Sequence, residues 1–231
     1  MKSNHRSEPV SEGIKQIVFD FGGVILDIDH ARVEQEFRNL GVADFQSLYN
    51  KASQSELFKE FEMGKISEER FRDEIRQVAG LGVSDEILDR TWNAILGDYP
   101  PHRINLLSEL RKNYRIFLFS NTNSIHYRFY VSSFRQKYGY ELESLFDYTF
   151  WSFREGFRKP DQSAYRRIEE VCGLIPEEML FIDDTAVNVS AARMAGWNAL
   201  LLNEGEEVGR FFANGRVSNT AVERIKKEKQ N

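Results

Sequence analysis

Ile17-Val18-Phe19 is a β-branched and aromatic run that stops on a carboxylate, Asp20, with Gly22 and Gly23 just beyond it. Such a run reads as a buried strand, and glycines after it let the backbone approach a ligand closely. The same punctuation recurs twice: Phe117-Leu118-Phe119 ends on Ser120-Asn121-Thr122, and Leu180-Phe181-Ile182 ends on Asp183-Asp184. Longer stretches of helical periodicity separate these runs. The alternation constrains the chain to a mostly parallel sheet covered on both faces, a doubly wound, Rossmann-like α/β fold. Open sheets of this kind bind ligands at the carboxyl ends of their strands, where these polar groups would lie.

Five strands are expected, near Ile14 to Phe19, Arg115 to Phe119, Tyr148 to Trp151, Met179 to Ile182 and Ala199 to Leu202. The first two are separated by a long insertion without a convincing strand. There Asp29 is placed to cap a helix running through Leu40 to Gly41, and Ser67 with Glu68 and Glu69 to start another that stops at Gly80. A third helix is expected from Ser84 to Leu96, closed by Gly97. This organisation reads as a core of residues 14–27 and 99–213, a helical cap of residues 28–98, and polar tails at 1–12 and 216–231 that pack poorly.

Composition narrows the function. A chain of 231 residues has room for one such core and a smaller insertion. Its net charge of −5 argues against a nucleic-acid backbone as partner, which needs clustered Lys and Arg. No apolar stretch approaches the roughly 18 to 20 residues of a membrane span, so no membrane partner is expected. The single cysteine, Cys172, has no partner for an internal disulfide and reads as a packing residue. These features fit a cytoplasmic protein acting on a small molecule.

The strand-end residues carry the chemistry. Asp20 is a candidate nucleophile, attacking phosphorus through a carboxylate oxygen. Asp183 and Asp184 are a candidate metal pair, because Mg²⁺ keeps several waters and needs only one or two protein carboxylates. Asp184 is the preferred direct ligand, with Asp183 a second ligand or the acceptor for a metal-bound water. Ser120, Asn121 and Thr122 close a strand and open the next helix, a natural seat for phosphate oxygens. Lys159 would bring a compact positive charge to that phosphate, with Pro160 in the first turn of the following helix. His30, Arg32, Glu62, Lys65 and Arg70 are candidate specificity contacts from the cap, and Glu62 to Ser67, containing Gly64, is the segment best suited to dip toward the site.

The order Asp20-x-Gly22, Ser120-Asn121, Lys159-Pro160, Asp183-Asp184 resembles the haloacid dehalogenase (HAD) superfamily with a helical cap after the first motif. The likeness spans roughly residues 14 to 213. It is nearest the branch that reads Asp-x-Gly-x-Val, Ser-Asn-Thr-Asn and Asp-Asp-x-x-x-Asn, which includes a bacterial α-glucose-1-phosphate phosphatase. The resemblance implies a Mg²⁺-dependent hydrolase of a small, sugar-phosphate-like phosphomonoester, acting through an aspartyl-phosphate. It also implies that Asp20, the main-chain carbonyl of Gly22 and Asp184 ligate the metal, while Ser120, Asn121 and Lys159 contact phosphate.

Gly22 is where this chain departs from most phosphatases of the superfamily, which carry a second aspartate there as general acid and base. Losing such a group costs on the order of 10² to 10⁴ in rate. The change predicts slow turnover, substrates with better leaving groups, or a substitute acid from Asp27, Asp29 or the cap, with a substrate hydroxyl or bound water as a further alternative. Two other outcomes remain: a catalytically weakened protein that binds phosphate in a regulatory role, or a phosphomutase. Dehalogenation needs no acid at position 22, but it has no use for the Asp183-Asp184 pair.

Overall fold

The computed structural model describes residues 13–54 and 56–228. Five strands form one sheet: β1 (Gln16–Phe19), β2 (Arg115–Ser120), β3 (Tyr148–Trp151), β4 (Met179–Asp183) and β5 (Asn198–Leu201). Their order is β3-β2-β1-β4-β5 and every pairing is parallel. Alternation along the strands explains the two covered faces. Ile17 and Phe19 join Ile116, Leu118, Leu180 and Ile182 in one core, while Val18 faces the opposite way with Phe117, Phe119 and Phe181. Phe19 pairs with Leu118 on one side and Ile182 on the other, so the residues that follow β1, β2 and β4 emerge at one edge of the sheet.

The insertion after β1 carries five α-helices among the described residues: α1 (His30–Asn39), α2 (Phe45–Gln54), α3 (Leu57–Glu62), α4 (Glu68–Ala79) and α5 (Asp85–Trp92). Asp29 caps α1 by accepting the Arg32 N–H at 3.0 Å, and Ser67 caps α4 by accepting the Arg70 N–H at 3.2 Å. These helices have their own core, in which Val33, Phe37, Leu57, Phe61, Phe71 and Leu88 are buried. The chain enters and leaves this cap through two segments that run side by side. The Asp27 N–H donates to Asp98 O at 2.9 Å, Gly97 N–H to Asp27 O at 2.8 Å, and Asp29 N–H to Ile95 O at 2.8 Å. A Cβ on Gly97 would lie 2.8 Å from Asp27, so only glycine allows this approach.

The rest of the core is α6 (Pro101–Leu110), α7 (Ser124–Tyr138), α8 (Ser152–Glu155), α9 (Gln162–Cys172), α10 (Ala186–Met194) and α11 (Asn219–Glu228), with a short hairpin of β6 (Phe212–Ala213) and β7 (Arg216–Val217). Cys172 is partly buried against the second core, and burial pushes its thiol up to about 11. Among the described residues no helix is long and apolar enough to cross a membrane.

Three expectations need correction. The helix expected from Ser84 to Leu96 stops at Trp92 and gives way to a 3₁₀ turn, Asn93–Ile95, because Leu96 is drawn into an antiparallel bridge with Ile28. Pro160 lies in the turn before α9 rather than in its first helical turn; Asp161 is the N-cap and the Lys159–Pro160 peptide is cis. The segment after residue 216 is not a loose tail: β7 pairs with β6, and α11 buries Ala221, Val222 and Ile225 against the first core. The expected tail at residues 1–12, and residues 229–231, lie outside the described residues. Ile225 is 1% exposed, so Ile225→Ala should lower stability by about 2 to 5 kcal/mol in urea unfolding, against less than about 0.5 kcal/mol for Lys227→Ala on the solvent side.

Candidate active site

Asp20 follows β1, Ser120 ends β2, and Asp183 ends β4, so the parallel register delivers three polar groups to one edge of the sheet. The Asp20 N–H donates to Ile182 O at 2.9 Å, which extends the β1–β4 ladder by one residue and fixes where the carboxylate starts. Lys159 reaches the same point from the turn before α9. Its Nζ lies 2.5 Å from Asp20 Oδ1 and 2.6 Å from Asp183 Oδ2. The ammonium is 1% exposed and sits over the rings of Phe119 and Phe181, at 5.2 and 5.3 Å from their centroids. A charge so enclosed is tolerable only because two carboxylates and two ring faces surround it.

Each member is held by neighbours. The Asn121 amide donates to Lys159 O, and the Lys159 N–H donates to Asn121 Oδ1, both at 2.9 Å. Asn121 therefore positions the lysine turn through its side chain. Asp183 is completely buried, and its carboxylate accepts from the Thr185 N–H at 2.7 Å, from Asn188 Nδ2 at 3.1 Å on each oxygen, and from Lys159. Asp184 is more open and accepts only the Thr185 hydroxyl, at 3.1 Å, among the hydrogen bonds described. Gly23 makes room for it: the residue has φ +77°, and a Cβ there would stand 2.1 Å from Asp184 Oδ2.

Burial pushes the Asp20 carboxyl up to about 7, against the pull of Lys159 and with the added repulsion of Asp183 and Asp184. Lys159 is raised: desolvation would lower it, but Asp183 and Asp20 outweigh that. Burial and the charge of Asp183 also raise Asp184. Asp20, Asp183 and Asp184 offer oxygens that all lie within 4.8 Å of one another. An all-oxygen set of closely packed acids, two of them desolvated, suits a hard divalent cation such as Mg²⁺.

Next to this cluster is a cavity lined by Gly22, Ser120 and Asn121 and roofed by the cap. Of the expected cap contacts, His30 and Glu62 line it, whereas Arg32, Lys65 and Arg70 do not. The Glu62 to Ser67 segment does dip onto the core. Glu62 binds Arg158, with Nε at 2.9 Å and Nη2 at 2.8 Å, and a Cβ on Gly64 would lie 2.2 Å from Phe153 O. Three contributors carried no motif signal. Ser152 clamps Thr122, its hydroxyl accepting the Thr122 N–H at 2.9 Å and donating to Thr122 O at 3.0 Å. His126 and Trp92 line the cavity wall, and burial pushes His126 down to about 3, which keeps it neutral.

A family model for haloacid dehalogenase-like hydrolases matches residues 14–196. The chain belongs to this hydrolase family. It is 31% identical over 194 residues to the D-ribitol-5-phosphate phosphatase of Bacteroides thetaiotaomicron, covering 84% of this chain and 94% of that protein. It is 29% identical over 193 residues to a sesquiterpene phosphatase of Aspergillus oryzae, covering 82% and 90% respectively. Among solved structures, a HAD-family enzyme of B. thetaiotaomicron in complex with magnesium and inorganic phosphate is 32% identical with a TM-score of 0.80. That match covers 87% of this chain and 100% of the other.

Were this cluster to hold Mg²⁺ through Asp20, the raised carboxyl would set a pH dependence for the metal. A ligating carboxylate must be ionised, so below about pH 7 a proton competes with the cation for this cluster. Mg²⁺ affinity should fall roughly tenfold per pH unit below 7 and level off above it. Calorimetric titration should find about one proton released per Mg²⁺ at pH 6 and almost none at pH 8; equal affinities at both values would contradict the assignment.

Proposed function

We propose that this hydrolase is a Mg²⁺-dependent phosphatase of small phosphomonoesters, working through an aspartyl-phosphate on Asp20. The observation that carries this reading is the convergence of Asp20, Asp183, Asp184 and Lys159 in one cluster, three of them buried, in a chain similar to an enzyme solved with magnesium and phosphate. Asp20 Oδ attacks phosphorus, the bond to the leaving oxygen breaks, and water then cleaves the acyl phosphate to restore the carboxylate. Lys159 opposes the burial that raises Asp20 and offsets charge on the phosphoryl oxygens. Asp20, Asp184 and the Gly22 carbonyl would hold Mg²⁺, with Asp183 behind them, and the ion would neutralise the transferring group. Ser120 and the turn positioned by Asn121 complete the phosphate seat.

The leaving oxygen still needs a proton. Gly22 has none to give, neither Asp27 nor Asp29 lines the cavity, and Asp29 is committed to capping α1. Glu62 is the one carboxyl that lines the cavity among the described residues, and burial raises it despite Arg158. We assign Glu62 as the proton donor, in place of the second aspartate that most phosphatases of the superfamily carry where this chain has Gly22. The glycine itself favours the Asp-x-Gly branch of the family. The organic part of the substrate is not set by family membership, since one relative is named for a polyol phosphate and another for a sesquiterpene.

Two variants test the scheme. Asp20→Asn should reduce phosphate release by roughly four orders of magnitude or more while circular dichroism and the thermal midpoint are retained. Glu62→Gln should slow alkyl phosphates by about 10² to 10⁴ but p-nitrophenyl phosphate, whose leaving group departs without a proton, by less than about tenfold. Equal losses on both substrates would remove Glu62 from the role.

A further inference from the structure

Away from the acids, the cavity under the cap changes character. Its volume is about 220 Å³, and Gly22, Ser120 and Asn121 at its floor make it continuous with the phosphate seat. Its walls are rings and branched chains: Phe45, Tyr49, Phe58 and Trp92 from the cap, with Ile28 and Leu96 from the two connecting segments. The rings form an ordered stack. Phe58 lies parallel to Trp92 within 8° at 5.4 Å, Trp92 parallel to His126 within 6° at 5.3 Å, and Tyr49 stacks on Phe58 at 4.9 Å.

Several polar groups on this wall are already engaged, although the Trp92 indole N–H has no partner and His30 also lines the space. Asn123 Oδ1 accepts the His126 N–H at 3.0 Å, His126 Nδ1 bonds Asn93 Oδ1 at 2.8 Å, and the Tyr130 hydroxyl donates to Thr122 Oγ1 at 3.3 Å. Glu62 is held by Arg158. A polyhydroxylated chain entering here would give up water for few partners, which is unfavourable. Gly22 extends the apolar surface down to the phosphate, because the place of its side chain is taken by Ile28, whose Cδ1 and Cγ1 lie 3.2 Å from where a Cβ would be. A cavity of roughly 150 Å³ admits benzene. The larger space here accommodates a body of about six to ten carbon atoms.

We propose that this cavity binds the organic part of the substrate and that its chemistry is apolar: an aryl or alkyl phosphomonoester is preferred over a polyol phosphate. The proposal rests on the phosphatase reading above and specifies its substrate class.

The test uses the full chain with Mg²⁺ and a series of ethyl, butyl, pentyl and hexyl phosphates, together with 2-phenylethyl phosphate and ribitol 5-phosphate. The leaving groups of the alkyl series have similar basicity, so differences report on binding of the chain. kcat/KM should rise about three- to fourfold per methylene up to hexyl. Ribitol 5-phosphate should fall at least about tenfold below pentyl phosphate, which has the same carbon count. Binding without turnover is read by competition between hexylphosphonate and methylphosphonate, with the former about 10²- to 10³-fold tighter. Tyr49→Ser, at a ring already 43% exposed, and Phe58→Leu should each flatten the chain-length dependence.

The outcomes separate the two readings. If no ester is hydrolysed but hexylphosphonate still binds far more tightly, the apolar assignment stands and the phosphatase reading fails. If esters are hydrolysed with no chain-length dependence, or ribitol 5-phosphate outpaces pentyl phosphate, the apolar assignment is overturned while the phosphatase reading survives.

Discussion

One buried ammonium ties the molecule together. Lys159 joins the end of β1 to the end of β4 through Asp20 and Asp183, and its turn is fixed to the end of β2 through Asn121. Three neighbouring strands thus meet on a single residue, two at its ammonium and one at its main chain. Removing such a partner would leave two desolvated acids facing each other, the costly half of a broken buried pair. The arrangement keeps like charges close together while making them ready for a second cation, since the added positive charge relieves their repulsion. Stability and reactivity are set by the same few atoms.

Much of this was legible because the relevant signals are local. Apolar runs such as Phe117-Leu118-Phe119 and Leu180-Phe181-Ile182 can only be buried strands in a chain of this pattern, and the polar residue ending each one is then carried to the ligand-binding edge. Asp29, Ser67 and Gly80 punctuate their helices as capping chemistry requires. The acids, the lysine and the asparagine meet because parallel register leaves them little choice.

Where sequence reading ran short, a tertiary contact overrode a local pattern. Helical periodicity continues past Trp92, but pairing of Leu96 with Ile28 pulls the chain into an extended path. The charges of Lys226, Lys227 and Glu228 masked a buried stripe at Ala221, Val222 and Ile225, which only a neighbouring groove makes useful. Phe58 and Trp92 sit at spacings typical of any helix core. That their rings also face an enclosed space beside Gly22 depends on how the cap is set over the sheet, and composition holds no trace of it. Ser152 and Glu62 likewise act through partners distant in the chain, Thr122 and Arg158.

The two segments that join cap to core are hydrogen-bonded to each other through Asp27, Asp29, Ile95, Gly97 and Asp98. A paired ribbon flexes across its flat face and resists sliding along its length, because sliding would break every rung at once. Such a ribbon would let the cap turn about one axis with little sideways travel. The cap is also tied to the core through Glu62 with Arg158 and Glu68 with Arg128, so any turn about the ribbon would have to break both ion pairs.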